Sequence, residues 1–169
     1  MSSPTQFLDW QACGSVGRSD IDALAAQAAS HPSGRARICL HRGHGDAVHE
    51  MVIAVRPSGF VLPHRQAGVD KSYLVLRGEF GLVFFDDDGV VTDAVRLTPG
   101  DRPIARFDAG LWHVGLASSA GALYVETIPG PFHPERTEWA DWAPREDAPG
   151  LEPWLAKARA ELQRRCGRS

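Results

Sequence analysis

Between Arg35 and Ile128 the sequence is cut into short β-rich runs by closely spaced turn signals, and this segmentation leaves few folds open. Pro57-Ser58-Gly59, Asp86 to Gly89, Pro99-Gly100-Asp101, Asp108-Ala109-Gly110 and Ser118 to Gly121 are residue combinations that turn a chain. The runs between them are Arg35 to Leu40, His49 to Val55, Phe60 to Gln66, 71–77, 79–85, Val90 to Leu97, Ile104 to Phe107, Leu111 to Leu116 and Ala122 to Ile128. Each reads as a strand. No helices alternate with them, which excludes a doubly wound α/β fold. The pattern predicts an all-β closed or double-sheet barrel.

Two helices frame it. Ser19 is a candidate N-cap for the Ala-rich segment that follows, with Asp20 and Asp22 in its first turn. Leu151 to Arg165 carries Leu151, Trp154, Leu155, Ala158 and Leu162 on one stripe. The expected organisation is one structural domain: an N-terminal arm and helix over 1–34, the barrel over 35–130, and a Trp/Pro-rich wrap with the C-terminal helix over 131–169. Five tryptophans, at 10, 112, 139, 142 and 154, read as anchors for the arms; a homodimer interface is the alternative use.

Net charge is −3 with both signs scattered, so no basic stripe points to nucleic acid and no polybasic segment to a membrane. No apolar run is long enough to span a bilayer and no secretory signal is visible. Cys13, Cys39 and Cys166 are odd in number and unclustered, which fits a reducing cytoplasm. The expected partner is a small-molecule ligand.

The chemistry concentrates in RPSGFVLPHRQAGVDKSYLVLRG, Arg56 to Gly78, and in His113 on a later strand. His64 and Gln66 are two residues apart, so on a strand both face one side; Lys71 and Tyr73 share a side in the same way. With RARICLH, VRPSGFVLPHRQ, YLVLRGEFGLVFFDDDGVVT, GLWHV, VETIPGPF and EWADWAPRE, the chain resembles the WbuC-type cupins of surface-polysaccharide gene clusters, over roughly residues 20–147. The resemblance implies a cupin double-stranded β-helix, a jelly-roll barrel with short N- and C-terminal helices. It also implies a cavity lined by His64, Gln66, Lys71, Tyr73 and His113. In a metal-binding cupin, His64 and His113 would be the first and last metal ligands. Gln66 stands where a second histidine is expected and Lys71 where a glutamate is expected. Ser58 stands where a glycine is usual.

Three functions are open. In the first, the barrel binds a polar metabolite, a sugar or polysaccharide precursor, and acts as a metal-free isomerase or epimerase. His64 and His113 are then acid and base, with Lys71 and Tyr73 as further catalytic groups and Gln66, Lys71 and Tyr73 contacting substrate. Lys71 has a second reading as a solvated turn lysine. In the second, His64 and His113 hold a divalent Fe, Ni, Mn or Zn ion in an oxygenase-like enzyme, with Gln66, His49 and Glu50 as weaker ligands and Glu79, Glu126 or Asp70 as guesses. In the third, the cupin binds a ligand or partner without catalysis. His41 and His44 have no zinc-spaced partner, and Asp86 to Asp88 read as a hairpin tip and not as a calcium loop.

Overall fold

The computed structural model describes residues 3–167. The elements run β1 (Thr5–Phe7), α1 (Arg18–Ser30), β2 (Arg35–Cys39), β3 (Val48–Val55), β4 (Phe60–Gln66), β5 (Asp70–Phe85), β6 (Val91–Leu97), β7 (Ile104–Asp108), β8 (Trp112–Pro129), a 3-10 turn at Pro134–Arg136, β9 (Thr137–Trp139) and α2 (Leu151–Cys166). Strands dominate and the two helices flank them, so the fold is the all-β jelly-roll architecture expected from the segmentation.

One expected turn is absent and two expected runs are continuous. The segment across Ser118 to Gly121 stays inside one strand, β8, and the runs 71–77 and 79–85 form one strand, β5. These long strands pair along most of their length and belong to two sheets at once. The C-terminal half of β8 pairs with β3 and with the N-terminal half of β5, giving the order β1-β2-β3-β8-β5-β7. The N-terminal half of β8 pairs with β4 and with the C-terminal half of β5, giving β9-β4-β8-β5-β6.

The crossover between sheets sits at Gly78 and Gly121. Both take positive φ, 74° and 78°, and the β5–β8 register shifts on either side of Gly78. A Cβ at Gly78 would strike the carbonyl oxygen of Gly121. Glycine lets both strands bend where the backbones touch. Ser58 also holds a positive φ, 55°, the conformation glycine takes freely at that position.

Each helix covers the outer face of one sheet. Ala36, Ile38, Val52, Ala54 and Leu123 pack under Leu24 and Ala28 of α1. Val83, Phe85, Val114 and Leu116 pack under Leu151, Leu155, Ala158 and Leu162 of α2. The α1 cap differs from expectation. The N-cap is Gly17, whose N–H donates to the Asp20 carboxylate at 2.8 Å, because Asp20 at the third helical position reaches back and Ser19 already lies inside the helix.

Between the sheets Val75, Phe80, Leu82, Phe84 and Leu97 pack into one buried cluster. Beside it the barrel has an open, polar end. Trp10 donates to the Leu40 carbonyl at 2.7 Å, Trp112 to Asp87 at 2.9 Å, and Trp142 and Trp154 pack on Phe85, so four tryptophans are anchors. Trp139 is 56% exposed and stands at the open end. Asp86 accepts the N–H groups of Asp88 and Val90, which makes the Asp run a self-capped hairpin tip.

Gly78→Ala should cost about 2 kcal/mol or more, from the left-handed backbone and the carbonyl clash together. Urea unfolding reads this; an unchanged midpoint would show that the crossing tolerates a side chain.

Candidate functional site

Strand alternation decides what the open end contains. On β2, Ala36 and Ile38 face α1, so Arg35, Arg37 and Cys39 face the interior. On β3, His49, Met51 and Ile53 face inward while Val52 and Ala54 face α1. Cross-strand register then sets rows on the inner wall. Cys39, Met51, Glu126 and Tyr73 form one row; Arg37, Ile53, Tyr124 and Val75 form the next. Lys71 adjoins Ile128, which pairs with His49. The opposite sheet contributes His64 and Gln66 from β4, with Thr137 and Trp139 from β9. The result is a cavity of about 260 Å³. A larger groove of about 700 Å³ runs outside the barrel past Leu62, Pro144 and Glu146, but it lacks the convergent histidine, lysine and tyrosine groups of the interior.

The centre of the cavity is a three-residue chain of contacts. Lys71 Nζ lies 3.3 Å from His64 Nε2 and 3.5 Å from Glu126 Oε1. The tautomer follows from the backbone. His64 Nδ1 is 2.9 Å from the Leu62 carbonyl, which only accepts, so Nδ1 carries the proton and Nε2 offers a lone pair. Lys71 therefore donates to His64. His113 is held the same way, with Nδ1 donating to the Leu111 carbonyl at 2.8 Å, and its Nε2 is buried without a partner among the described residues. The two imidazoles lie 4.4 Å apart between centroids.

Burial pushes the His64 pKa well below its ordinary range, and the positive charge of Lys71 adds to it. Burial, and then Lys71, bring His113 down to about 3. Both are neutral at pH 7. Burial, and then Glu126, push the Tyr73 phenol well above 10, so it stays protonated.

The structure brings His64, Gln66, Lys71 and Tyr73 together around one cavity, the first two from one sheet and the last two from the other. Lys71 is only 4% exposed, which overturns its reading as a solvated turn residue. His113 does not line the cavity. It sits one layer further in, against His64, Phe84 and Phe107, because its strand is covered by its neighbours on both sides. Gln66 donates to Thr137 Oγ1 at 2.8 Å, and its Oε1 is buried without a partner among the described residues.

Several candidate metal ligands are not brought together. Glu50 points out of the barrel and is exposed, since it shares parity with Val52. His49 lines the mouth, stacked on His41 at 4.0 Å, but lies two strands from Lys71, about 10 Å away by strand spacing. Glu79 pairs with Arg96 and Asp70 with Arg106. Among the described residues no three His, Cys, Asp or Glu side chains converge on a metal position. The donor set does not fit a divalent ion, because the one imidazole lone pair facing the cavity from its centre is occupied by a lysine that repels cations.

Sequence reading missed Arg35, Arg37, Tyr124, Thr137 and Trp139 as wall residues. The alternation of RARIC carried the signal for the arginines, once the apolar residues are given to the helix side. Nothing marked the three-residue β9.

The chain matches a family described as a domain of unknown function, DUF6016, over residues 16–97, from α1 to the end of β6. None of the curated proteins matches it in sequence. Among solved structures it is similar to an oxalate oxidase in complex with the substrate analogue glycolate (18% identity, 78% of this chain and 68% of that one, TM-score 0.53). It is also similar to a sugar phosphate isomerase from a cupin superfamily of Silicibacter pomeroyi (23% identity, 57% and 59%, TM-score 0.45) and to the TT1209 protein of Thermus thermophilus (26% identity, 65% and 94%, TM-score 0.49). The chain thus spans 59% of the length of the sugar phosphate isomerase. The fold is a cupin jelly roll. No helix among the described residues is long and apolar enough to cross a membrane.

Two outcomes test the buried cluster. Because both histidines are depressed in the fold, the unfolded chain binds more protons below its ordinary value of 6.5, and stability falls as pH drops from there toward 3. His113→Gln should flatten that loss by up to about 1.4 kcal/mol per pH unit, read from urea curves across the acid limb. Lys71→Met strands Glu126 and should cost about 3–5 kcal/mol, while Lys71→Met/Glu126→Leu recovers most of it. Equal costs for the single and double variants would show the pair to be uncoupled.

Proposed function

We propose that the protein binds a small polar metabolite in the barrel and moves a proton on it without a metal, as an isomerase or epimerase. The observation that carries this is the Lys71–His64 contact, which places an ammonium donor and a neutral imidazole side by side in a cavity, with Glu126 as the lysine's counter-ion. A neutral imidazole and a lysine are the groups a proton transfer next to a carbonyl requires. When a substrate oxyanion draws the Lys71 ammonium to itself, His64 Nε2 is bared to take or return the proton, and the Tyr73 phenol donates to the same developing oxyanion. Gln66 orients substrate from the wall and His113 buttresses the His64 ring. The cavity is just below the roughly 300–1,000 Å³ of drug-sized ligand pockets, so it suits a single sugar or acid and not a whole nucleotide sugar. The resemblance to WbuC-type cupins supports a polysaccharide precursor as the substrate's source. The three free cysteines support a reducing cytoplasm.

A second reading has one observation on its side. Gln66 Oε1 and His113 Nε2 are both buried acceptors without partners among the described residues, and a divalent ion would satisfy them if Lys71 swung away. Elemental analysis of protein purified without added metal or chelator separates the two. The expected result is no stoichiometric Fe, Ni, Mn or Zn, with metal gained in Lys71→Glu. Stoichiometric metal, lost in His64→Ala/His113→Ala, would overturn the metal-free reading. Catalysis is tested by NMR in D2O with aldoses, uronates and sugar phosphates. Exchange of a carbon-bound hydrogen, abolished in His64→Gln with the fold intact, is expected; a cavity that binds these compounds without exchange is a binding protein.

A further inference from the structure

The cavity wall carries more positive charge than the acid–base cluster uses. Arg35, Arg37 and Lys71 all face the interior, and the one carboxylate among the described wall residues, Glu126, is already paired with Lys71. Arg35 is partly met: it donates to the Phe60 carbonyl at 2.9 Å and pairs with Glu146, which lines the outer groove, at 3.4 Å. Arg37 is not. Its only side-chain bond among the described residues is to the Ser3 hydroxyl at 2.7 Å, and no described carboxylate lies within ion-pair distance. A guanidinium has five donors, and one set in a half-buried wall without a counter-ion bears an uncompensated desolvation cost. The hydroxyls of Tyr73 and Tyr124 have no protein partner among the described residues either. Arg37 shares its row with Tyr124, four residues along β8 from the Ile128 level where Lys71 sits, about 13 Å of backbone. The cavity therefore has two polar ends, with tyrosines between them.

Resting on the reading that this cavity holds a metabolite, we infer that the ligand is an anion, a sugar acid or sugar phosphate whose carboxylate or phosphate is seated on Arg37 and Arg35 while its carbon skeleton runs toward His64 and Lys71. Arginine offers the planar, fixed fork that matches either oxyanion. The neutral Tyr73 and Tyr124 phenols donate to hydroxyls along the way, and Glu126, being paired, does not repel the anion.

The test is titration calorimetry with thermal shift on the full chain, using D-gluconate, glucose 6-phosphate and glucose as probes at up to about 20 mM, so that even millimolar binding registers. At least one of the two anions should bind tenfold or more tighter than glucose, and which one does tells carboxylate from phosphate. Arg37→Gln should cut the anion's affinity tenfold or more, and Arg37→Lys should restore part of it. Anion binding that survives Arg37→Gln, glucose binding as tightly as the anions, or no binding by any probe overturns the inference. Failure of the acid–base proposal is separate: it shows as charge-selective binding that persists while hydrogen exchange in D2O is absent.

Discussion

Everything in this molecule depends on β5 and β8 staying paired while they pass from one sheet into the other. Two long antiparallel strands resist a sharp bend, because a bend breaks the ladder and drives the backbones together. Gly78 and Gly121 relieve both problems at one point: each takes a left-handed conformation, Gly78 has no Cβ to strike the Gly121 carbonyl, and Gly121 has none to strike the Val55 carbonyl at the end of β3. The consequence is that each strand serves both sheets. One half of the pair gives the interior Phe80, Leu82 and Phe84, which pack in its dry core, and the other half gives it Lys71, Tyr73, Tyr124 and Glu126, which line the polar cavity.

The polar cavity is organised around a buried lysine, Lys71, held between Glu126 and His64. Burial, with the charge of Lys71 added to it, keeps both histidines neutral, and the backbone carbonyls of Leu62 and Leu111 choose which nitrogen of each ring is bare. Two imidazoles with inward lone pairs are what a metal centre needs. Here one of those lone pairs is turned to an ammonium and the other lies behind the wall, so the geometry of the hairpin serves a different electrostatic arrangement.

The β-barrel class was legible because turn residues and apolar alternation are local. So were the parities of His64 with Gln66 and of Lys71 with Tyr73, which need only a period of two. What local signals did not decide was continuity. Ser118 to Gly121 has the composition of a turn, yet the chain bends there without reversing and stays one strand, since the pairing of β8 with β3 and β5 outweighs local preference. Nor did they decide depth. His113 has the same backbone pattern as His64, but a central strand hides it, whereas β4 has only the short β9 beyond it. Glu126 could be named only as one carboxylate among several, because its tie to Lys71 spans 55 residues of sequence and comes from register. Ser19 is not the cap because Asp20 holds the Gly17 N–H, and the helix starts ahead of the serine.

The position of β8 in the chain carries a consequence for how the protein is made. It follows the other long strands of the barrel in chain order, and β3, β4 and β5 all wait for it as their neighbour. Until it arrives, three strands expose open edges and Lys71 has no carboxylate to meet. Closure of the barrel therefore rests on contacts widely separated in sequence, a topology that folds slowly as a class and leaves strand edges unpaired until it is complete. The charged hairpin around Lys71 is then useful before it is functional: a strand carrying an unpaired cation is a poor template for its neighbours' edges.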